Sequence, residues 1–123
     1  SLNKPDWTPS GRLIGTIWSV LFAFISLAAA LVYAAYDLRK AAAPFWIMMI
    51  INYLFNQAFS YFQFTEKNVL AAAADSFFVA MTALALALIT LRIHKRAALL
   101  LVPYVLWSFF ATYLAFTIYG MNH

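Results

Sequence analysis

The sequence predicts an all-α integral membrane protein, a helical bundle with four spans that forms one domain over residues 1–123. Of these residues 66% are hydrophobic and only 10% are charged, whereas a soluble domain typically carries about 25% charged residues. The chain also contains four apolar segments, each longer than the roughly 18 residues that indicate a transmembrane helix. A soluble helical core would leave those segments unexplained.

Short polar clusters set the limits of the predicted spans. The spans cover residues 13–36, 41–64, 69–91 and 97–120. Each is about 34–37 Å long as a helix, enough to cross a hydrocarbon core of about 30 Å. Pro44 falls in the first turn of the second span, where proline is tolerated, and we expect Pro103 to interrupt the fourth span. Since only four or five residues connect successive spans, we expect them to be antiparallel neighbours.

Basic residues are shared unequally between the two ends of this bundle. One end holds Arg39, Lys40, Arg92, Lys95 and Arg96, and the other holds Lys4, Arg12 and Lys67. Because positive charge favours the cytoplasmic side, we expect the first end in the cytoplasm and both termini outside. The net charge of +4 arises from short clusters between apolar spans. That pattern is typical of membrane topology, so no nucleic-acid partner is expected.

Several kinds of chemistry lack the residues that they need. There is no cysteine, which excludes disulfides, thiolate metal sites and cysteine nucleophiles. Paired histidines, metal-ligand clusters, phosphate-binding loops and nucleophile–base pairs are absent from the sequence. We therefore expect no metal site, no hydrolytic activity and no required cofactor. Asp75, about two turns into the third span, has either a structural role near the positive helix end or a role in proton transfer.

Polar side chains form a stripe along the second span. Asn52, Asn56, Ser60 and Gln63 are spaced by four, four and three residues, which places them on one face of a helix. Such a stripe either lines a cavity or forms hydrogen bonds between helices. The sequence leaves both alternatives open.

Small residues form a second stripe, along the first span. Gly11, Gly15, Ser19 and Ala23 recur every four residues, a spacing that lets another backbone approach closely. Trp18 lies beside this stripe, and in the last span Trp107 shares a face with Ala111 and Ala115. Small residues beside a large indole leave room for a flat ligand, although tryptophan also serves for packing or as an interfacial anchor.

Three segments resemble the translocator protein family, whose bacterial members are called tryptophan-rich sensory proteins, or TspO. Residues 3–9 (NKPDWTP), followed by Gly15 and Trp18, resemble the N-K-P-x-W-T-P-P…G-P-V-W motif of the family. Residues 103–114 resemble its P-Y-x-x-W-x-x-F-A-T-x-L segment, and residues 52–64 are similar to those of Bacillus-type members. The chain departs from the usual family residues at Ser10, Arg12, Thr16, Phe59, Ala115 and Gly120.

The resemblance implies a fold, ligands and site residues. Family members have five spans, and the first precedes the N-K-P loop, so we expect this chain to lack that helix. The implied ligands are porphyrins such as protoporphyrin IX, haem, benzodiazepine-site drugs, and sterols or lipids, with a bacterial cell membrane as the location and a homodimer as the assembly. The expected ligand-binding residues are Trp7, Pro9, Trp18, Phe22, Asn52, Asn56, Phe59, Trp107 and Ala111. The expected structural residues are Gly11, Gly15, Asp75 and Pro103.

Three functions compete at this point. The first is tetrapyrrole binding in a pocket within the bundle, with a sensory or regulatory role. The second, implied by the resemblance, is light-dependent oxidative degradation of protoporphyrin IX, with Trp18 and Trp107 as catalytic residues. The third is a small proton-coupled multidrug or metabolite transporter, which needs a carboxylate near the middle of the membrane. Asp75 is near a helix end and is poorly placed for that role.

Overall fold

Four α-helices make up the protein in the computed structural model, which describes residues 5–61 and 68–121. The helices are α1 (Gly11–Tyr36), α2 (Ala43–Ser60), α3 (Val69–Ile93) and α4 (Lys95–Met121), and a short 3-10 turn, Lys40–Ala42, precedes α2. No strand occurs in the described ranges, so the all-α prediction is confirmed. Residues 62–64 of the second predicted span, and Gln63 with them, lie outside the described residues.

Side-chain caps fix where two of the helices begin. Ser10 Oγ accepts a hydrogen bond from the backbone N–H of Leu13 at 3.1 Å. Asn68 Oδ1 accepts one from Ala71 N–H at 3.0 Å. Both caps satisfy a donor of the first helical turn that has no partner within its own helix. The polar residues that precede spans one and three therefore determine their starts.

A tight turn joins α3 to α4. The backbone of His94 is extended, with a φ of −159°, and its Nδ1 accepts a hydrogen bond from Ala97 N–H at 3.2 Å. α4 then runs without a break past Pro103. Our expectation of an interruption there was wrong: the helix tolerates the missing N–H of one proline, which removes a single intrahelical hydrogen bond.

Three helices are long and apolar enough to cross a membrane, namely α1, α3 and α4. The described part of α2 has 18 residues, and its amides Asn52, Asn56 and Gln57 reduce its apolar character. Three of the four predicted spans thus meet the criteria of length and composition within the described residues. The chain is an integral, multi-pass membrane protein.

The helices do not pack in chain order. α1 packs against α4, α4 against α3, and α3 against α2. α1 and α2 follow one another in the chain but make few contacts, so our expectation that all successive helices are neighbours was wrong for this pair. They meet near their connecting turn, where the rings of Tyr33 and Trp46 lie 6.5 Å apart.

The bundle is closed at the end where α1 joins α2, and its core lies there. Small and large apolar side chains are fully buried together in this core: Ala28, Val32, Ala42, Phe45, Leu86, Ala97 and Leu101. Next to it is a second core cluster, formed by Leu21, Val79, Ala83, Tyr104 and Val105. Beyond the second cluster, toward the start of α1, the helices enclose a cavity instead of a core.

Candidate functional site

A cavity of about 820 Å³ lies between the four helices at the end where α1 begins. Its volume is within the range of about 300–1,000 Å³ that is typical of small-molecule sites. The N-terminal segment and all four helices contribute to its mostly apolar wall. The lining residues are Thr8, Pro9, Gly11, Ile14, Gly15, Trp18, Phe22, Asn56, Gln57, Phe59, Val69, Ser76, Val79, Trp107, Ser108, Ala111, Leu114, Ala115 and Ile118.

Aromatic rings form a connected series along one side of this cavity. Trp18 stacks on Phe22 with ring centroids 5.5 Å apart. Trp18 also meets Trp107 edge to face at 6.5 Å, with the ring planes at 85°, and Trp107 continues to Phe110 at 5.1 Å. Edge-to-face contacts of this kind are favourable and hold rings at fixed angles. Two indoles therefore stand at nearly a right angle in the cavity wall.

The N-terminal segment forms a local turn and packs against α4. Both the N–H and the hydroxyl of Thr8 donate to the carbonyl of Pro5, at 3.0 and 2.7 Å. The ring of Trp7 stacks on Tyr113 at 5.6 Å and meets Phe110 edge to face at 5.9 Å. Trp7 is 47% exposed and does not line the cavity, whereas its neighbours Thr8 and Pro9 do.

A hydrogen-bonded network of amides connects three helices below the cavity. Asn52 Nδ2 donates to the carbonyl of Val79 at 3.1 Å and to Thr82 Oγ1 at 2.8 Å. Asn52 Oδ1 accepts the hydroxyl of Tyr104 at 2.6 Å and Asn56 Nδ2 at 3.2 Å. Every donor and acceptor of this buried amide is satisfied, as burial requires. Asn52 therefore joins α2 to α3 and α4.

Asn56 has two roles in the same place. Its Nδ2 donates to the hydroxyl of Tyr104 at 2.6 Å, and the residue also lines the cavity. The ring of Tyr104 in turn lies edge to face with Trp18 at 6.1 Å. The amide network thus supports the aromatic wall. Both alternatives for the polar stripe apply: Asn52 forms hydrogen bonds between helices, and Asn56 does so while it also lines the cavity. Of its other members, Gln63 lies outside the described residues and the side chain of Ser60 is not described.

The glycines of α1 face open space instead of another helix. A Cβ placed on Gly11 or Gly15 would meet no described atom within 4 Å, and both residues line the cavity. The close helix contact that we expected of this small-residue stripe is thus absent from the described part of the chain. Here the missing side chains leave volume free in the cavity.

Three buried polar atoms have no hydrogen-bond partner among the described residues: Asp75 Oδ2, Trp107 Nε1 and Ser108 Oγ. Unpaired buried polar groups are rare in native proteins because each one costs free energy. Trp107 and Ser108 belong to the cavity wall, and Asp75 precedes Ser76, another lining residue. No group of acidic or histidine side chains that could hold a metal ion occurs in the described ranges.

The structure brings together most residues that the sequence singled out. Seven of the expected ligand-binding residues line the cavity: Pro9, Trp18, Phe22, Asn56, Phe59, Trp107 and Ala111. The other two do not line the cavity but contact residues next to its wall. Asn52 accepts a hydrogen bond from Tyr104, whose ring contacts Trp18. Trp7 contacts Phe110, whose ring contacts Trp107. Sequence analysis missed nine further lining residues: Thr8, Ile14, Gln57, Val69, Ser76, Val79, Ser108, Leu114 and Ile118. Ser108 follows Trp107 directly and is one helical turn from Thr112 and Tyr104, but nothing in the sequence distinguishes it from a packing serine.

Comparison with known proteins agrees with these features. The sequence model of the TspO/MBR family matches residues 1–120. The chain belongs to the TspO/MBR family. The resemblance found in the three sequence segments is thereby confirmed at the level of the family.

Relatives of the TspO/MBR family match nearly the whole chain. The uncharacterized membrane protein YtaB of Bacillus subtilis is 59% identical over 122 residues, which are 99% of this chain and 78% of that protein. The tryptophan-rich protein TspO of Bacillus cereus is 49% identical over the same shares. The human translocator protein is 26% identical over 99% of this chain and 73% of its own length.

Proposed function

We propose that this member of the TspO/MBR family binds tetrapyrroles, such as protoporphyrin IX or haem, in the cavity between its helices. The observation that carries the proposal is the apolar cavity of about 820 Å³ with Trp18 and Trp107 in its wall. A flat macrocycle would stack on one indole and meet the edge of the other, an arrangement that aromatic quadrupoles favour. Other flat apolar compounds, including benzodiazepine-site drugs and sterols, would bind by burying their apolar surface in the same cavity.

The wall also provides polar groups for the edge of such a ligand. Asn56 and Gln57 contribute from α2, Ser76 from α3 and Ser108 from α4. A few polar groups in an apolar pocket are what fixes the orientation of a ligand. A tetrapyrrole carries its carboxylates on one edge, so the amides of α2 are suited to hold that edge while the indoles hold the face.

Replacement of Trp18 by leucine tests the proposal. Loss of the stacking surface is expected to weaken protoporphyrin IX binding about tenfold, or about 1.4 kcal/mol. The affinity is measured in detergent from the change in porphyrin absorbance during titration with the protein. Trp46→Leu is the matched control, because Trp46 is a partly buried indole of α2 at the closed end of the bundle. Equal affinities of the Trp18→Leu variant and the native chain would contradict the proposed site.

A second function is favoured by the short distance between the two indoles. With centroids 6.5 Å apart, Trp18 and Trp107 would both touch a bound porphyrin, and indoles are readily oxidised. We propose as a further candidate that illumination of the complex in the presence of dioxygen leads to oxidative degradation of the porphyrin. Trp18→Phe keeps a ring in the wall but removes the indole, and is expected to slow the light-dependent loss of porphyrin absorbance severalfold. If porphyrin bound to the native protein were lost under light no faster than free porphyrin in detergent, an enzymatic role would be contradicted.

The remaining features of the proposal concern the membrane. We propose that α2 crosses the membrane as well, so that the chain has four transmembrane helices. We also propose that the protein resides in a bacterial cell membrane with the cavity end outside, and that it forms homodimers. The arginine and lysine distribution supports this orientation. Proton-coupled transport has less support, since it needs a carboxylate near the middle of the membrane and Asp75 lies in the second turn of α3.

A further inference from the structure

The closed end of the bundle carries an exceptional concentration of positive charge. Its five basic side chains are all exposed: Arg39, Lys40, Arg92, Lys95 and Arg96. We call these five residues the basic end. Asp37 is the only acidic residue near them in the sequence. At the cavity end the described charged residues are Arg12, Asp6 and Asp75, one basic and two acidic.

Tertiary contacts bring the two basic turns of the chain together. The hydroxyl of Tyr36, at the end of α1, donates to the carbonyl of Ile93, at the end of α3, at 2.8 Å. Ala42 and Ala97, which follow the two turns directly, are both fully buried in the same core cluster. Residues 39–40 and residues 92–96 therefore form one surface, although more than fifty positions separate them in the chain.

No described side chain neutralises this surface. None of the five basic residues takes part in an ion pair within residues 5–61 and 68–121. The carboxylate of Asp37 is engaged locally, because its Oδ1 accepts a hydrogen bond from Leu38 N–H at 2.8 Å. Like charges repel over about 10 Å at ordinary ionic strength, so the close approach of the two turns is favoured when anions lie alongside.

Aromatic and apolar residues place these charges at the level of lipid headgroups. Trp46 Nε1 donates to the carbonyl of Asp37 at 3.2 Å, and Tyr33 lies beside its ring. Tryptophan and tyrosine are enriched where a membrane meets water. Leu38 is 73% exposed and Leu99 69% exposed, so apolar side chains flank the cations. A free anion in water would gain nothing from these leucines, whereas a lipid would cover them with its acyl chains.

We propose that the basic end is a binding site for anionic phospholipids, whose phosphates pair with the two basic turns while their acyl chains cover the neighbouring leucines. Clusters of lysine and arginine beside transmembrane helices attract anionic headgroups in this way. Arginine also holds phosphate through two parallel hydrogen bonds. The site is at the opposite end of the bundle from the cavity and is independent of the proposed tetrapyrrole binding.

The test measures lipid selectivity of the full chain in phosphatidylcholine vesicles. Trace amounts of spin-labelled phosphatidylglycerol or spin-labelled phosphatidylcholine are added, and the fraction of motionally restricted label is compared. We expect phosphatidylglycerol to associate at least about twofold more strongly than phosphatidylcholine. The preference should fall to near unity in Arg92→Gln/Lys95→Gln/Arg96→Gln and by about half in Arg39→Gln/Lys40→Gln. The matched control, Arg12→Gln, removes an exposed cation at the cavity end and should leave the preference unchanged.

Two outcomes would overturn the proposal. One is equal association of the two labelled lipids with the native chain, or a preference that survives both sets of substitutions. The other is full displacement of labelled phosphatidylglycerol by millimolar inorganic phosphate, which would indicate an anion site without lipid recognition. Native helix content, measured by circular dichroism, ensures that lost selectivity in a variant is not the result of unfolding.

Discussion

Substitution of Gly15 by leucine is expected to lower the affinity for protoporphyrin IX by tenfold or more, about 1.4 kcal/mol at least, without unfolding the protein. Gly15 lines the cavity, and a Cβ at this position meets no described atom within 4 Å. The Cβ therefore meets no obstacle, and the rest of the leucine side chain is expected to occupy volume that a ligand would need. Helix stability should rise slightly, since glycine is the less favourable residue inside a helix by about 0.8–1.0 kcal/mol.

The matched control is Gly120→Leu. Gly120 is also helical, a Cβ placed there also meets no described atom within 4 Å, and the residue is absent from the cavity wall. Both variants gain the same helix-favouring residue, so a loss of affinity in Gly15→Leu alone isolates occupation of the cavity. Titration of each variant with protoporphyrin IX, together with thermal unfolding in detergent, provides the comparison. Unchanged affinity in Gly15→Leu would show that the ligand binds somewhere else.

Substitution of Asn52 by leucine is expected to reduce the free energy of unfolding by about 2–3 kcal/mol. The leucine has the same number of side-chain heavy atoms but removes the bonds to Val79, Thr82 and Tyr104 on two neighbouring helices. Hydrogen bonds between membrane helices contribute about 0.6 kcal/mol each on average. The hydroxyl of Tyr104 also loses its acceptor while it stays fully buried, which adds about 1 kcal/mol or more.

A double-mutant cycle separates these contributions. Tyr104→Phe is made alone and in the Asn52→Leu background, where it removes a hydroxyl proton that has already lost its acceptor. Since the bond between the two side chains can be lost only once, the cost of the double variant should be about 1 kcal/mol smaller than the two single costs together. Gln57→Leu is the control, since among the described residues the side chain of this exposed amide bonds only to Tyr53 of its own helix and should change stability by less than about 0.5 kcal/mol. Unfolding in mixed micelles with increasing dodecyl sulfate gives the free energies of the native chain, the two single variants, the double variant and the control. A cost for Asn52→Leu no larger than that for Gln57→Leu would contradict the structural role of the network.

These predictions treat the two ends of the bundle differently. The closed end has fully buried alanines, a leucine-rich core and the exposed basic residues, whereas the cavity end has glycines, indoles and amides. Substitutions at the cavity end should alter ligand affinity with little loss of stability. Substitutions in the amide network, which lies between the two ends, should alter stability first and binding as a consequence.

Helices and their limits followed from local sequence. Residues 13–36 were predicted and Gly11–Tyr36 observed, and residues 69–91 were predicted and Val69–Ile93 observed. An apolar segment of this length has few alternatives to a helix in a membrane, because every backbone polar group must find its partner within the segment. The caps Ser10 and Asn68 are likewise local, since each acts on a donor three residues away.

The sequence by itself determined the membrane class, the family motifs and seven of the residues that line the cavity. Only the tertiary structure decided which helices are neighbours, because the short α1–α2 connection permits the two helices to meet at the turn and separate beyond it. It also decided that Asn52 joins helices while Asn56 reaches the cavity, although both lie on one face of α2. The difference depends on what α3 and α4 present to each amide. Those partners, Val79, Thr82 and Tyr104, are brought near by packing and are distant in the sequence.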